Sequence, residues 1–215
     1  MAQASLVQDL FLGFEPRLRA RRLGPWRAPA ARLFFLLDPG ETLDEPRVGA
    51  LRETLAERIE VIAWEPRRSA SGLETLERSR QLAQDGGSRF GERAVFVGGS
   101  GLGAWVALAT ASTEDVRGVV GFAPSLTQAG EPTSETSPLL AELAQTLTGA
   151  PLERPVLLLE GRERPVAESQ VVDEWLADAP HAARIVAPGA DAGLFCPPWP
   201  QVVATWVEAI ARESR

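Results

Sequence analysis

The run Ala94-Val95-Phe96-Val97-Gly98-Gly99-Ser100-Gly101-Leu102-Gly103-Ala104-Trp105-Val106-Ala107-Leu108-Ala109-Thr110 constrains this chain more than any other stretch. A short apolar, β-branched segment meets a cluster of small residues and then an Ala-rich apolar segment of helical character. That pattern is a strand, a tight turn and a helix. Between Gly98 and Gly103, only Leu102 is neither glycine nor serine. Backbone in such a cluster passes through a conformation or a close approach that a larger side chain would obstruct. In an α/β sheet, a turn of this kind lies at the carboxyl ends of the strands, where ligands bind.

The rest of the chain repeats the rhythm. Leu10–Glu15 and Arg17–Leu23 read as two short strands separated by Pro16, with a loop over Gly24–Pro29. Arg32–Leu37 is a continuous apolar run, as a strand buried on both faces requires, and Asp38-Pro39-Gly40 ends it. Val48, Leu51, Leu55 and Ile59 recur at helical spacing in an amphipathic helix beginning near Pro46. Glu60–Trp64 is the next strand, stopped by Pro66. Ser71–Gln84 reads as a polar helix closed by Gly86-Gly87, and Gly118–Phe122 as a buried strand. Thr127–Ser137, rich in Thr, Ser, Glu and Pro, reads as a mobile loop, and Leu139, Leu140, Leu143 and Leu147 as one short helix. A strand at Val156–Glu160, a helix at Val166–Ala177, a strand at Ala183–Val186 and a helix at Pro200–Arg212 complete the pattern. Two strands of antiparallel type followed by strand–helix units predict an α/β protein: one doubly wound, mainly parallel sheet with right-handed crossovers, as a single domain over 1–215.

Composition narrows the function classes. At 215 residues and 45% hydrophobic, the chain can bury a real core. A net charge of −7 gives no electrostatic reason to bind nucleic acid or anionic lipid. Arg17, Arg19, Arg21 and Arg22 are expected on the solvated face of a strand. No basic segment precedes an apolar core at Met1, so no secretory signal is expected, and no apolar run approaches the ~20 residues that span a bilayer. The single cysteine, Cys196, precludes an internal disulfide and points to a reducing, cytoplasmic compartment. With only His181 beside it, no dedicated transition-metal site and no cofactor are expected.

The central motif, and the order of elements around it, resembles the α/β-hydrolase family over nearly the whole chain. That family carries a nucleophile elbow of the form Gly-x-Ser-x-Gly between a strand and an apolar helix. Gly99-Ser100-Gly101-Leu102-Gly103 fits the frame with Gly99 and Gly103 at the two small positions, which puts Gly101 at the nucleophile's place. With Ser100 at the apex, Leu102 would fill the tightest position. The resemblance implies an acid in the turn Gly161-Arg162-Glu163-Arg164-Pro165-Val166, where Arg164 stands at the acid position. It implies a histidine in Pro188-Gly189-Ala190-Asp191-Ala192-Gly193, where Ala192 stands. The oxyanion loop corresponds to Asp38-Pro39-Gly40; Pro39 has no N–H, leaving Gly40 or Glu41, with Leu102, to supply amides. Gly101, Arg164 and Ala192 thus read as vestigial triad positions, with a minimal lid over 123–155.

Several residues carry two readings. Ser100 is either a shifted nucleophile or a small polar residue that satisfies the turn's backbone. His181, in the connection before the last strand, is expected at the opposite sheet edge from the elbow and so not beside Ser100. Asp38 either caps the turn it begins or does chemistry at the strand end. Arg164 either anchors an anion or pairs with Glu163 or Glu160. Cys196, without a basic partner, reads as a buried structural cysteine. Trp105, Trp175 and Trp206 read as core packing, and Trp199 as lining a pocket with Asp38, Gly40, Ser100, Leu102 and Ala192. The expectation is a non-catalytic hydrolase homologue that acts on a small-molecule ligand or a protein partner by binding. Two other classes stay open: an esterase- or thioesterase-like hydrolase using Ser100, and a cyclase- or lyase-like pocket that needs no nucleophile.

Overall fold

In the computed structural model, the described residues are 5–12, 18–25, 29, 31–66, 74, 77–81, 94–111, 116–125, 153–161, 173, 175–177, 179–189 and 191–213. Among them, one sheet holds eight strands: β1 (Ser5–Leu12), β2 (Leu18–Pro25), β3 (Ala31–Leu36), β4 (Glu60–Trp64), β5 (Ala94–Ser100), β6 (Val116–Phe122), β7 (Val156–Gly161) and β8 (Ala182–Ala187). Their order across the sheet is β1-β2-β4-β3-β5-β6-β7-β8. β1 and β2 pair antiparallel, β2 docks antiparallel on β4, and every later pairing is parallel. The apolar run in β3 is buried throughout because β4 and β5 flank it and helices cover both faces.

Strand alternation sends side chains to two cores. Phe34, Leu36, Ile62, Val95 and Val97 pack under helix α2 (Leu102–Thr110), with Trp105, Val106 and Leu108. Leu33, Phe35, Val61 and Phe96 face the other side. There they meet helix α1 (Pro46–Ala56) through Val48, Leu51 and Leu55, and helix α3 (Trp199–Glu213) through Val203 and Val207. Pro46 opens α1 at a position where a missing N–H costs nothing.

The boundaries depart from the sequence expectations where pairing outweighs local pattern. β1 starts at Ser5 rather than Leu10, because its register with β2 runs from Ser5↔Pro25 to Leu12↔Leu18. The same ladder carries β2 through Gly24-Pro25, which by themselves read as a turn. Ile59 lies beyond α1, buried in the turn that feeds β4. A 3₁₀ turn at Asp191–Phe195 has no periodic signature in the sequence.

The described arginines of the β2 cluster are ion-paired rather than merely solvated. Docking on β4 sets Arg22 Nε 2.7 Å from Glu60, Arg19 2.8 Å from Asp44 and 3.4 Å from Glu65, and Arg21 3.3 Å from Asp44. Glu160 pairs with Arg184, whose Nε is 2.8 Å away on the neighbouring strand β8. Cys196 is exposed, not buried, because it sits in the turn between the 3₁₀ segment and α3.

Residue 74 and residues 77–81 are helical, as are 173 and 175–177; the rest of the helices expected at Ser71–Gln84 and Val166–Ala177 lies outside the described residues. Gly86-Gly87, the loop Thr127–Ser137, the helix expected over Leu139–Leu147, Arg17, Glu163 and Arg164 also lie outside them. No helix among the described residues is long and apolar enough to cross a membrane.

Candidate functional site

The site grows from the glycine-rich crossing. β5 ends at Ser100 and α2 begins at Leu102; Gly101 joins them at φ 53°, ψ −123°, a conformation that favours glycine. The small residues around it are required by contact. A Cβ on Gly99 would lie 2.7 Å from the Leu36 carbonyl oxygen and still closer to the Gly103 backbone. One on Gly103 would lie 2.5 Å from the same carbonyl oxygen. The Gly101 amide donates to the Phe122 carbonyl at 3.0 Å, tying the apex to the end of β6.

β3 is the neighbour of β5, so the turn that follows β3 lies against this apex. Its first residue, Asp38, turns its carboxylate onto the start of α2: Oδ1 accepts from the Leu102 amide at 2.9 Å. The nearby Gly40 amide also favours the charged form of this carboxylate. A Cβ on Gly101 would fall 2.6 Å from Asp38 Cγ and 3.1 Å from its Cβ. The Asp38 carboxyl therefore fills the space where an elbow side chain would stand. Two of the amides expected to serve an oxyanion are engaged within the chain: that of Leu102 by the Asp38 carboxylate and that of Glu41 by the Asp38 carbonyl at 2.8 Å.

Ser100 points into a second, buried layer of the same turn. It is 1% exposed, and its hydroxyl donates to Glu41 Oε2. The Asp38 amide donates to both Ser100 Oγ at 3.0 Å and Glu41 Oε2 at 3.2 Å. Arg47, on α1, reaches Glu41 Oε1 at 3.4 Å and Glu45 at 2.9 Å, and its guanidinium lies over the Phe195 ring, 5.6 Å from the centroid. Phe195 continues into Phe122 and Phe35, with centroid separations of 6.0 Å and 5.7 Å.

Burial pushes both carboxyls upward in pKa. For Asp38 it outweighs the amides of Leu102 and Gly40 and the charge of Arg47. For Glu41 it outweighs the Ser100 hydroxyl, the Asp38 amide and Arg47, and the Asp38 charge adds to it.

The other expected site residues are dispersed. His181 is exposed, and its carbonyl accepts from the Val156 amide at 3.0 Å, at the start of β7 and the opposite sheet edge from the elbow. Ala192 falls in the 3₁₀ turn Asp191–Phe195. Trp199 opens α3, half-buried against the core that holds Phe122 and Phe195. Gly40 is exposed at the tip of its turn, while the side chain of Leu102 packs in the core beneath α2. Glu41 as a side-chain partner of Ser100 is absent from the sequence reading. The available signal was a second carboxylate three residues after Asp38. Among the described residues, no group of three or more His, Cys, Asp or Glu could hold a metal ion.

No family model matches this sequence, and no curated protein matches it. Solved structures do match. TT1662 from Thermus thermophilus superposes with a TM-score of 0.73 at 23% identity, covering 96% of this chain and 98% of its own. The Pyrococcus furiosus esterase Pf2001 gives a TM-score of 0.69 at 14% identity, covering 97% of this chain and 90% of its own. Est1E from Butyrivibrio proteoclasticus gives 0.69 at 11% identity, covering 95% and 98%. The chain has the α/β-hydrolase fold. In an α/β-hydrolase the elbow apex carries the nucleophile, and the amide of the next residue receives the oxyanion. The apex of this α/β-hydrolase fold is Gly101, and the next amide belongs to Leu102.

Proposed function

We propose that this α/β-hydrolase-fold protein does not cleave esters by serine chemistry and acts by binding a small-molecule ligand or a protein partner. One observation carries the reading: the hydroxyl at the elbow, that of Ser100, is buried and donates its proton to Glu41 beneath the turn. A serine nucleophile needs an exposed oxygen and a base poised to take its proton. The residues at the family's three catalytic positions, Gly101, Arg164 and Ala192, offer no nucleophile, carboxylate or imidazole in their place.

The test is turnover of p-nitrophenyl acetate, together with labelling by a fluorophosphonate. The expected result is no rate above background and no label. Hydrolysis that survives repurification and vanishes in Ser100→Ala would overturn the reading. Native mass spectrometry of the protein isolated from its own cells then looks for the retained ligand or partner.

A second reading is favoured by the raised pKa of Asp38, a half-buried carboxyl at the carboxyl edge of the sheet. Such a group, its charged form disfavoured by burial, is a candidate to exchange a proton with a bound molecule, in a cyclase- or lyase-like reaction without a nucleophile. Turnover that survives Ser100→Ala and disappears in Asp38→Asn would favour it.

A further inference from the structure

The first amide of a helix is an orphan donor at the positive end of the helix dipole, and it takes an anion readily. In α2 that amide is Leu102, and the capping residue Gly101 has no side chain to satisfy it. The acceptor comes instead from Asp38, 64 residues earlier in the chain, whose Oδ1 lies 2.9 Å away. The Gly40 amide, from within the same turn, also favours that carboxylate's charge. We propose that Asp38 is an internal occupant of the elbow's anion cradle: its carboxylate takes the Leu102 amide and keeps the cradle closed to an oxyanion from outside. The test of this contact reads acetate binding rather than turnover, so its failure is distinguishable from the failure of the non-catalytic reading.

The surroundings are built for this contact. Asp38 is pinned from behind, where its backbone amide donates to both Ser100 Oγ and Glu41 Oε2. Its carboxyl takes the volume that a side chain at residue 101 would need, so a side chain at the apex and the Asp38 carboxyl in the cradle exclude each other. The charged groups that bear on it are Arg47 from α1 and Glu41 from its own turn; α2 contributes the Leu102 amide and β5 the neutral Ser100 hydroxyl. Arg47 is shared with Glu41 and Glu45. The Leu102 amide is therefore the hydrogen-bond donor that holds the Asp38 carboxylate itself.

The experiment is an acetate titration at constant ionic strength, followed by the amide resonance of Leu102. Wild type is expected to give no saturable shift. Asp38→Ala is expected to bind acetate at that amide about ten-fold or more tightly than wild type, the factor that 1.4 kcal/mol makes. Asp38→Asn is expected to behave as wild type, because its amide oxygen still accepts from Leu102. Equal acetate binding at Leu102 in wild type and Asp38→Ala overturns the proposal. Should Asp38→Ala fail to fold, the wild type decides alone. The Leu102 amide proton must then titrate with the same midpoint as the Asp38 carboxyl carbon, and an amide that ignores that midpoint overturns it.

Discussion

Gly101→Ala should destabilise the protein through two separable effects. The first is backbone strain: an alanine at φ 53°, ψ −123° sits in a region that L side chains rarely adopt, at a cost of about 1–3 kcal/mol. The second is displacement of Asp38. A Cβ 2.6 Å from Asp38 Cγ forces that side chain to rotate away, so the Leu102 amide loses its acceptor. Loss of a helix cap costs about 1 kcal/mol. The sum, roughly 2–4 kcal/mol, corresponds to a fall in Tm of roughly 4–16 °C for a domain of this size. Urea unfolding of wild type, Gly101→Ala, Asp38→Gly and the double variant separates the effects. In the Asp38→Gly background the alanine meets no carboxyl, so its cost should fall by about 1 kcal/mol, to the strain alone. An equal cost in both backgrounds would refute the claim that Asp38 occupies the elbow side chain's place.

Other perturbations follow from the same geometry. Gly99→Ala should cost about 3 kcal/mol or more by urea unfolding, because its Cβ meets the backbone of Gly103 and the Leu36 carbonyl rather than a side chain free to swing away. Glu60→Gln should cost about 3–5 kcal/mol at neutral pH, since it leaves buried Arg32 facing a neutral partner. Burial pushes the Glu60 carboxyl up, but Arg32 and Arg22 outweigh it and hold the pKa low, so the gap to wild type should close as pH falls through the folded-state pKa. Glu41→Gln should show the opposite slope. Its carboxyl is raised by burial, so wild type loses stability relative to the variant as pH rises through the folded-state pKa; a pH-independent difference between the two would contradict this. Ser100→Ala should cost about 1–3 kcal/mol in the same assay, because Glu41 keeps its burial and loses its hydroxyl donor.

The elbow was legible in the sequence because its constraints are local. Gly99 and Gly103 answer to backbone contacts with each other and with the adjacent strand that leave no room for a side chain, and Gly101 to a positive φ that favours glycine. The buried strands β3, β6 and β7 were legible for a similar reason, since the stretches Leu33–Leu36, Gly118–Phe122 and Val156–Leu159, buried throughout, hold no charged residue. The displacement of β1, the ion pairs of Arg19, Arg21 and Arg22, and the exposure of Cys196 were not legible, because each depends on what the segment docks against. The pairing of Ser100 with Glu41 spans 59 residues, and that of Leu102 with Asp38 spans 64. Those contacts exist because β3 crosses over to lie beside β5, which brings the Asp38–Glu41 turn against the elbow. Residue types alone left Asp38 as a capping or a chemical residue; the sheet order decided that its carboxylate lies on the Leu102 amide of an elbow whose apex has no side chain to compete with it.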